Sequence, residues 1–125
     1  ERTLEQLDAI NIHFSLSSVD TNDLVLPMKY PCYYKNGILF TGNNDKGKAL
    51  QSFLNSMNYY PSAIIFVDDK MKYLLSVEKT ANKLNVPFYG IRYSGCDERV
   101  RTFDMTKAEK QWFELKEKNR TLAKA

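Results

Sequence analysis

Two carboxylates stand side by side at Asp68 and Asp69, directly after the apolar run Ala63-Ile64-Ile65-Phe66-Val67. Ligand sites of open α/β sheets lie outside the carboxyl ends of their strands, so the pair occupies a position where a site would be. Adjacent acids repel one another, and a divalent cation relieves that repulsion. Mg2+ in particular takes carboxylate oxygens together with phosphate and water. The structural alternative is capping, in which an Asp at the start of a helix accepts orphan amide N–H groups and complements the dipole. Capping accounts for one Asp readily and for two less well.

A second group is Asn43-Asn44-Asp45-Lys46-Gly47-Lys48-Ala49-Leu50. A helix opening here places a lysine at its positive end, which an ordinary helix disfavours. Lys46, or its neighbour Lys48, gains there when an anion is bound, because an ammonium and helix N-terminal amides together form a phosphate seat. Taken singly, either lysine is equally well a solvated surface residue. The 22 positions from Lys46 to Asp68 hold one helix and the next strand, so the two groups can meet at one sheet edge.

Other chemistries are poorly supplied. His13 is the single histidine, so a nucleophilic triad would have to be built around it, and between Ile12 and Phe14 it reads as a packed or edge residue of a short strand. Cys32 and Cys96 stand in no zinc-ligand spacing. Among 125 residues, 18 Lys+Arg against 15 Asp+Glu give a net charge of +3 without a dense basic patch, so no nucleic-acid partner is expected. With 43% hydrophobic and 13% aromatic residues, a packed core is within reach. The longest apolar run falls far short of the roughly 18 residues that cross a bilayer, and no targeting segment is visible. A soluble stretch with no membrane partner is expected, its compartment left open.

Around these residues the chain reads as alternating elements. Leu4, Leu7 and Ile10 mark a short amphipathic helix with Thr3 at a plausible N-cap, followed by a strand at Ile12-His13-Phe14 and a polar loop from Ser15 to Asp23. Asn36-Gly37 between Tyr30–Tyr34 and Ile38–Thr41 is a type I′ hairpin signal. Asp45 is a natural N-cap for a helix from Lys46 to Asn58, with Ala49, Leu50, Phe53, Leu54 and Met57 on one face. Ala63–Val67 and Phe88–Arg92 read as strands buried on both faces, joined by a helix carrying Met71, Leu74, Leu75, Ala81 and Leu84 and stopped at Asn85. That is one right-handed βαβ unit. A charged helix from Thr106 to Lys118 has Ala108, Trp112, Phe113 and Leu115 as its apolar side.

Lys-Gly-x-Ala-Leu opening an amphipathic helix, then an apolar strand ending in Asp-Asp, resembles the third and fourth motifs of the haloacid dehalogenase superfamily of phosphohydrolases. Lys46 falls on the motif-three lysine and Asp68-Asp69 on the acidic metal-binding motif. The run from Tyr34-Lys35-Asn36-Gly37-Ile38 through Arg92-Tyr93-Ser94-Gly95 resembles a bacterial branch of that superfamily known only as a domain of unknown function. The resemblance covers Thr3 to about Lys118. Its implied fold is a Rossmann-type parallel α/β sheet with flanking helices, here incomplete, plus a β-hairpin.

The superfamily's opening Asp-x-Asp motif, which carries the nucleophile, has no counterpart. Val19-Asp20-Thr21-Asn22-Asp23 has Asn at the second acid, follows no buried strand, and leaves no space for a second motif before Lys46. Arg2-Thr3-Leu4-Glu5-Gln6-Leu7 instead resembles the helix after that second motif, and residue 1 is Glu rather than Met. Residues 1–125 are therefore expected to be the C-terminal portion of one such domain, inactive alone. The parent would be a Mg2+-dependent phosphatase acting through an aspartyl phosphate on a phosphorylated small molecule. Lys46 would neutralise the nucleophile and phosphoryl oxygens while Asp68 and Asp69 hold Mg2+. The absent N-terminal segment, or a second copy pairing at the Ala63–Val67 edge, is the expected partner. Phe66-Val67-Asp68-Asp69-Lys70 also resembles the opening of a receiver domain, but Asp97 and Asp104, its candidate phosphate acceptors, end no apolar strand. The alternative of another class is a non-catalytic Rossmann-like binding or interaction module.

Overall fold

The computed structural model describes residues 2–20 and 22–124, with side chains to residue 118. They form two units, residues 1–93 and residues 94–125.

The first unit is built on local signals that the backbone obeys. Asn36 and Gly37 take φ of 49° and 79°, as a type I′ turn requires, and join β2 (Cys32–Lys35) antiparallel to β3 (Ile38–Phe40). A Cβ on Gly37 would stand 2.3 Å from the Phe14 carbonyl oxygen, so space as well as φ demands glycine. On the other side of β2 lies β1 (Leu24–Leu26), an element that three apolar residues without turn signals did not announce. A short 3-10 turn, Ser15–Ser17, interrupts the polar loop before it.

Leu26, Cys32 and Tyr34 from this sheet enclose one core with Ala49, Phe53 and Leu54 of α2 (Lys46–Ser56), where the Tyr34 and Phe53 rings lie 4.7 Å apart. α2 also packs on α3 (Met71–Lys83), which in turn covers the parallel pair β4 (Ile64–Asp68) and β5 (Phe88–Arg92). The α/β class, the parallel βαβ unit and the added hairpin are as the sequence implied.

Asparagine ends three helices by one device. After α1 (Arg2–Ala9), α2 and α3, Asn11, Asn58 and Asn85 adopt φ of 56°, 48° and 55°. The next amides then reach back from Ile12 to Leu7, Tyr59 to Leu54 and Val86 to Ala81. Each is a Schellman motif, in which asparagine tolerates the left-handed conformation that glycine usually takes.

Several expectations need correction. Ile12-His13-Phe14 forms no strand, because the reversal at Asn11 leaves it exposed with no sheet to join. Thr3 lies inside α1 rather than capping it. β4 and β5 are covered on one face only. Ile64 and Phe66 turn inward, whereas Ile65 is 71% exposed and Val67, Tyr89 and Ile91 are more than half exposed beside it. On α3 the buried stripe is Leu74, Val77, Thr80 and Ala81, and Met71 and Leu75 face outward.

In the second unit, α4 (Asp97–Arg101) is an element the sequence did not announce, and α5 runs from Met105 to Lys124. Asp104 caps α5, accepting the Lys107 amide at 3.0 Å, and follows no strand. No helix among the described residues is long and apolar enough to cross a membrane.

The contact between α2 and α3 sets a tight limit at Gly47, where a Cβ would lie 2.2 Å from the Ser76 carbonyl oxygen and 2.7 Å from Thr80 Oγ1. Gly47→Ala should therefore destabilise the chain by about 1–3 kcal/mol, although alanine is the better helix former. Urea denaturation followed by circular dichroism checks this, and an unchanged or raised midpoint contradicts the packing.

Candidate functional site

The first turn of α2 and the last residue of β4 converge. Asp45, the N-cap of α2, accepts the Lys48 amide at 2.9 Å. Ser76 of α3 donates its hydroxyl to the Asp45 carboxylate at 2.8 Å and accepts the Gly47 amide at 2.9 Å. The Lys48 amide is the main reason that the Asp45 carboxyl titrates below its ordinary range. Two N-terminal amides of α2 are thus consumed within the protein, which corrects the expected phosphate seat: of its two parts, only the lysine side chain is left to face an anion.

That side chain is Lys46. Its Nζ lies 2.5 Å from Asp68 Oδ2 and 4.2 Å from the centre of the Tyr73 ring, with Phe66 beyond at 5.8 Å. The Asp68 side chain is only 7% exposed, that of Lys46 34%. Lys70 donates its amide to Asp68 Oδ1 at 2.9 Å, and Tyr93 donates its amide to the Asp68 carbonyl at 2.9 Å. Burial alone would push the Asp68 carboxyl up. The Lys46 ammonium and the Lys70 amide more than offset this and hold it below the ordinary 3.8.

The structure therefore brings Lys46, rather than Lys48, to Asp68; Lys48 is exposed. Asp69 stands one residue past the strand, also exposed. Neither aspartate is the N-cap of α3, which is Lys70 without a side-chain bond. Asp68 instead makes an Asx turn onto the Lys70 amide, so part of its role is local.

A carboxylate offers about four acceptor positions. Asp68 uses two of them on Lys46 and the Lys70 amide. Asp69 is open to solvent, and no cluster of three or more metal-ligating side chains exists among the described residues. The pair fits a share of a Mg2+ shell, the usual situation where water and substrate phosphate complete the octahedron.

The remaining sequence features stay apart from this site. His13 is exposed, its Nε2 3.2 Å from Asn11 Oδ1 and its Nδ1 3.7 Å from Asp8. It borders a cavity of about 270 Å3 between α1 and the hairpin, lined also by Leu4, Leu7, Phe14 and Ile38. Asp20 spends Oδ1 on the backbone and side-chain amides of Asn22, and Thr21 lies outside the described residues. Burial pushes the Cys32 thiol up, leaving it inert. Sequence reasoning missed Ser76 and Tyr73. A glycine at the second position of a helix signals a close neighbour, but not which residue that neighbour is.

Comparison with known proteins adds family membership without chemistry. A family model described as "Protein of unknown function (DUF2608)" matches residues 1–124. A Chlamydia trachomatis protein named "Putative outer membrane protein" is 32% identical over 92 residues, which is 74% of this chain and 34% of that protein. A Chlamydia pneumoniae protein under the same heading is 28% identical over 127 aligned positions, 93% of this chain and 46% of its own length. The chain thus spans between a third and a half of these relatives. No solved structure matches.

The lowered Asp68 carboxyl has a consequence for stability. A carboxyl whose folded pKa is depressed stabilises the fold at pH above its unfolded value, and that contribution is lost as pH falls through the folded one. Asp68→Asn should cost about 1–3 kcal/mol at neutral pH, because it leaves the half-buried Lys46 without its counter-charge. The cost should shrink once pH drops below the ordinary 3.8 and the native carboxylate is itself protonated. Urea unfolding of both proteins at neutral and acid pH measures this, and a pH-independent cost contradicts the ionised pair.

Proposed function

The chain belongs to this family of unknown function, DUF2608, and from its site we propose that it is the phosphate-handling portion of a Mg2+-dependent phosphohydrolase of haloacid dehalogenase type. The observation that carries the reading is the Lys46 ammonium held 2.5 Å from the Asp68 carboxylate at the C-terminal end of a parallel strand. In α/β sheets that end is where ligands bind.

In this reading a phosphomonoester enters with its dianion directed at Lys46. Lys46 Nζ turns toward the phosphoryl oxygens and the attacking carboxylate, and neutralises charge where the transition state accumulates it. Asp68, its side chain buried, holds the ammonium in place, while the Tyr73 ring supports its other side. Asp68 and Asp69 are the residues that would hold Mg2+, whose contribution is charge neutralisation on the phosphate. The attacking carboxylate comes from polypeptide outside these residues. Its oxygen bonds to phosphorus as the alcohol leaves with a proton, and water then cleaves the aspartyl phosphate to inorganic phosphate. The length of the relatives beyond the matched stretch leaves room for that group.

A second reading, a non-catalytic binding or interaction module, draws support from the apolar surface left open on β4 and β5. One set of assays separates the two. The 125-residue chain alone should not hydrolyse an aryl phosphate, and should bind Mg2+ no tighter than about millimolar, weakened further in Asp68→Asn. The full-length family protein should hydrolyse the aryl phosphate with Mg2+ and lose about 100-fold or more in kcat on Lys46→Ala. A full-length protein with no phosphatase activity, or activity indifferent to Lys46, refutes the proposal and leaves the module.

A further inference from the structure

Helix α5 carries an apolar stripe whose spacing is that of a partner-seeking helix. Met105, Ala108, Trp112 and Leu115 follow one another at intervals of three, four and three. The same alternation continues in the sequence at Asn119 and Leu122. This is the a/d pattern of a two-helix seam, with asparagine at one a position. The stripe is open within its own unit: Trp112 is 58% exposed, and Met105 and Leu115 are more than half exposed. Phe113, exposed as well, occupies a b position, which borders the e side of the seam and widens it there.

The flanking charges select the occupant. With Met105 at a, the e positions are Glu109 and Lys116, and the g positions are Gln111 and Lys118. In a parallel pair, e faces g of the partner. Glu109 would then meet Asp104, Lys116 would meet Gln111, and no attractive pair would form. In an antiparallel pair, e faces e. Setting Trp112 against Leu115 of the second helix brings Glu109 opposite Lys116 on both sides of the two-fold axis. The same register places the two Phe113 positions beside the axis. We propose that α5 is a homotypic docking surface, on which a second copy of this chain packs its own α5 antiparallel, with Glu109 and Lys116 as the orienting pairs.

Because opposite charges define the register, exchanging them tests it on the whole 125-residue chain. Both residues are exposed, so the substitutions leave the fold intact. Light scattering with size exclusion should give a dimer for the native sequence, and its dissociation should shift the emission of Trp112, the single tryptophan. Lys116→Glu alone and Glu109→Lys alone should each weaken the dimer by about tenfold or more, since each places like charges at both e–e contacts. Mixing the two variants should restore a heterodimer, in which every e–e contact is again opposite in sign. A chain that stays monomeric at about 100 μM, well above the micromolar range typical of weak specific pairs, overturns the proposal. So does a dimer that Lys116→Glu leaves untouched, which would place the contact elsewhere, such as the open edge of β4. Single variants that weaken the dimer but show no recovery on mixing overturn the antiparallel register.

Discussion

The close approach of α2 to α3 at Gly47 is the constraint on which the described site depends. Only a residue without a side chain lets the Ser76 carbonyl come so near the first turn of α2. That proximity lets one hydroxyl serve both Asp45 and the Gly47 amide. The shared serine fixes the start of α2 against α3, and α3 packs in turn on β4 and β5, where Leu74 lies beside Gly90. Lys46 therefore leaves the helix at a point whose distance from the end of β4 is set by packing rather than by the loops between them. The Lys-Gly order has a physical reason: the glycine makes the contact, and the residue before it projects to the strand end.

Features set by neighbours in sequence were readable. The hairpin turn at Asn36-Gly37, the Asp45 cap and the stop at Asn85 each depend on a few adjacent residues with special φ or a short polar side chain. Features set by partners distant in the chain were not. β1 is three residues long, and only its pairing with β2 makes it a strand. Ile12-His13-Phe14 has the composition of a strand but follows a left-handed turn that leaves it no neighbour. Leu75 and Val77 are both apolar, so the rotation of α3 that buries one and exposes the other follows from its packing on α2, β4 and β5, which sequence periodicity alone does not reveal.

The candidate site divides along the same line. The residues proposed for the site stand out by their chemistry, since a lysine opening a helix and paired acids closing a strand both break local preference. How they are connected was not. Asp68 and Asp69 look alike in sequence, yet one ends β4 with its side chain buried on Lys46 and the other, one residue past the strand, faces solvent. Of the helix amides that a sequence reading assigns to an anion, that of Lys48 goes to the Asp45 cap, and that of Gly47 to Ser76, a partner 29 residues away.

The pair of Lys46 and Asp68 is costly by each residue's own standards. An ammonium at the positive end of a helix opposes the dipole by roughly 0.3–1 kcal/mol, and a carboxylate taken almost fully out of water loses several kcal/mol of solvation. Each is tolerable only because the other is present, and apolar residues of similar volume would fill the same space at less expense. Local rules broken in compensating pairs concentrate where a protein does chemistry. The cavity beside His13 breaks none: its apolar lining and exposed polar rim are what a shallow contact between a helix and a hairpin produces. Physical cost, more than concavity, is what directs the functional reading to the end of β4.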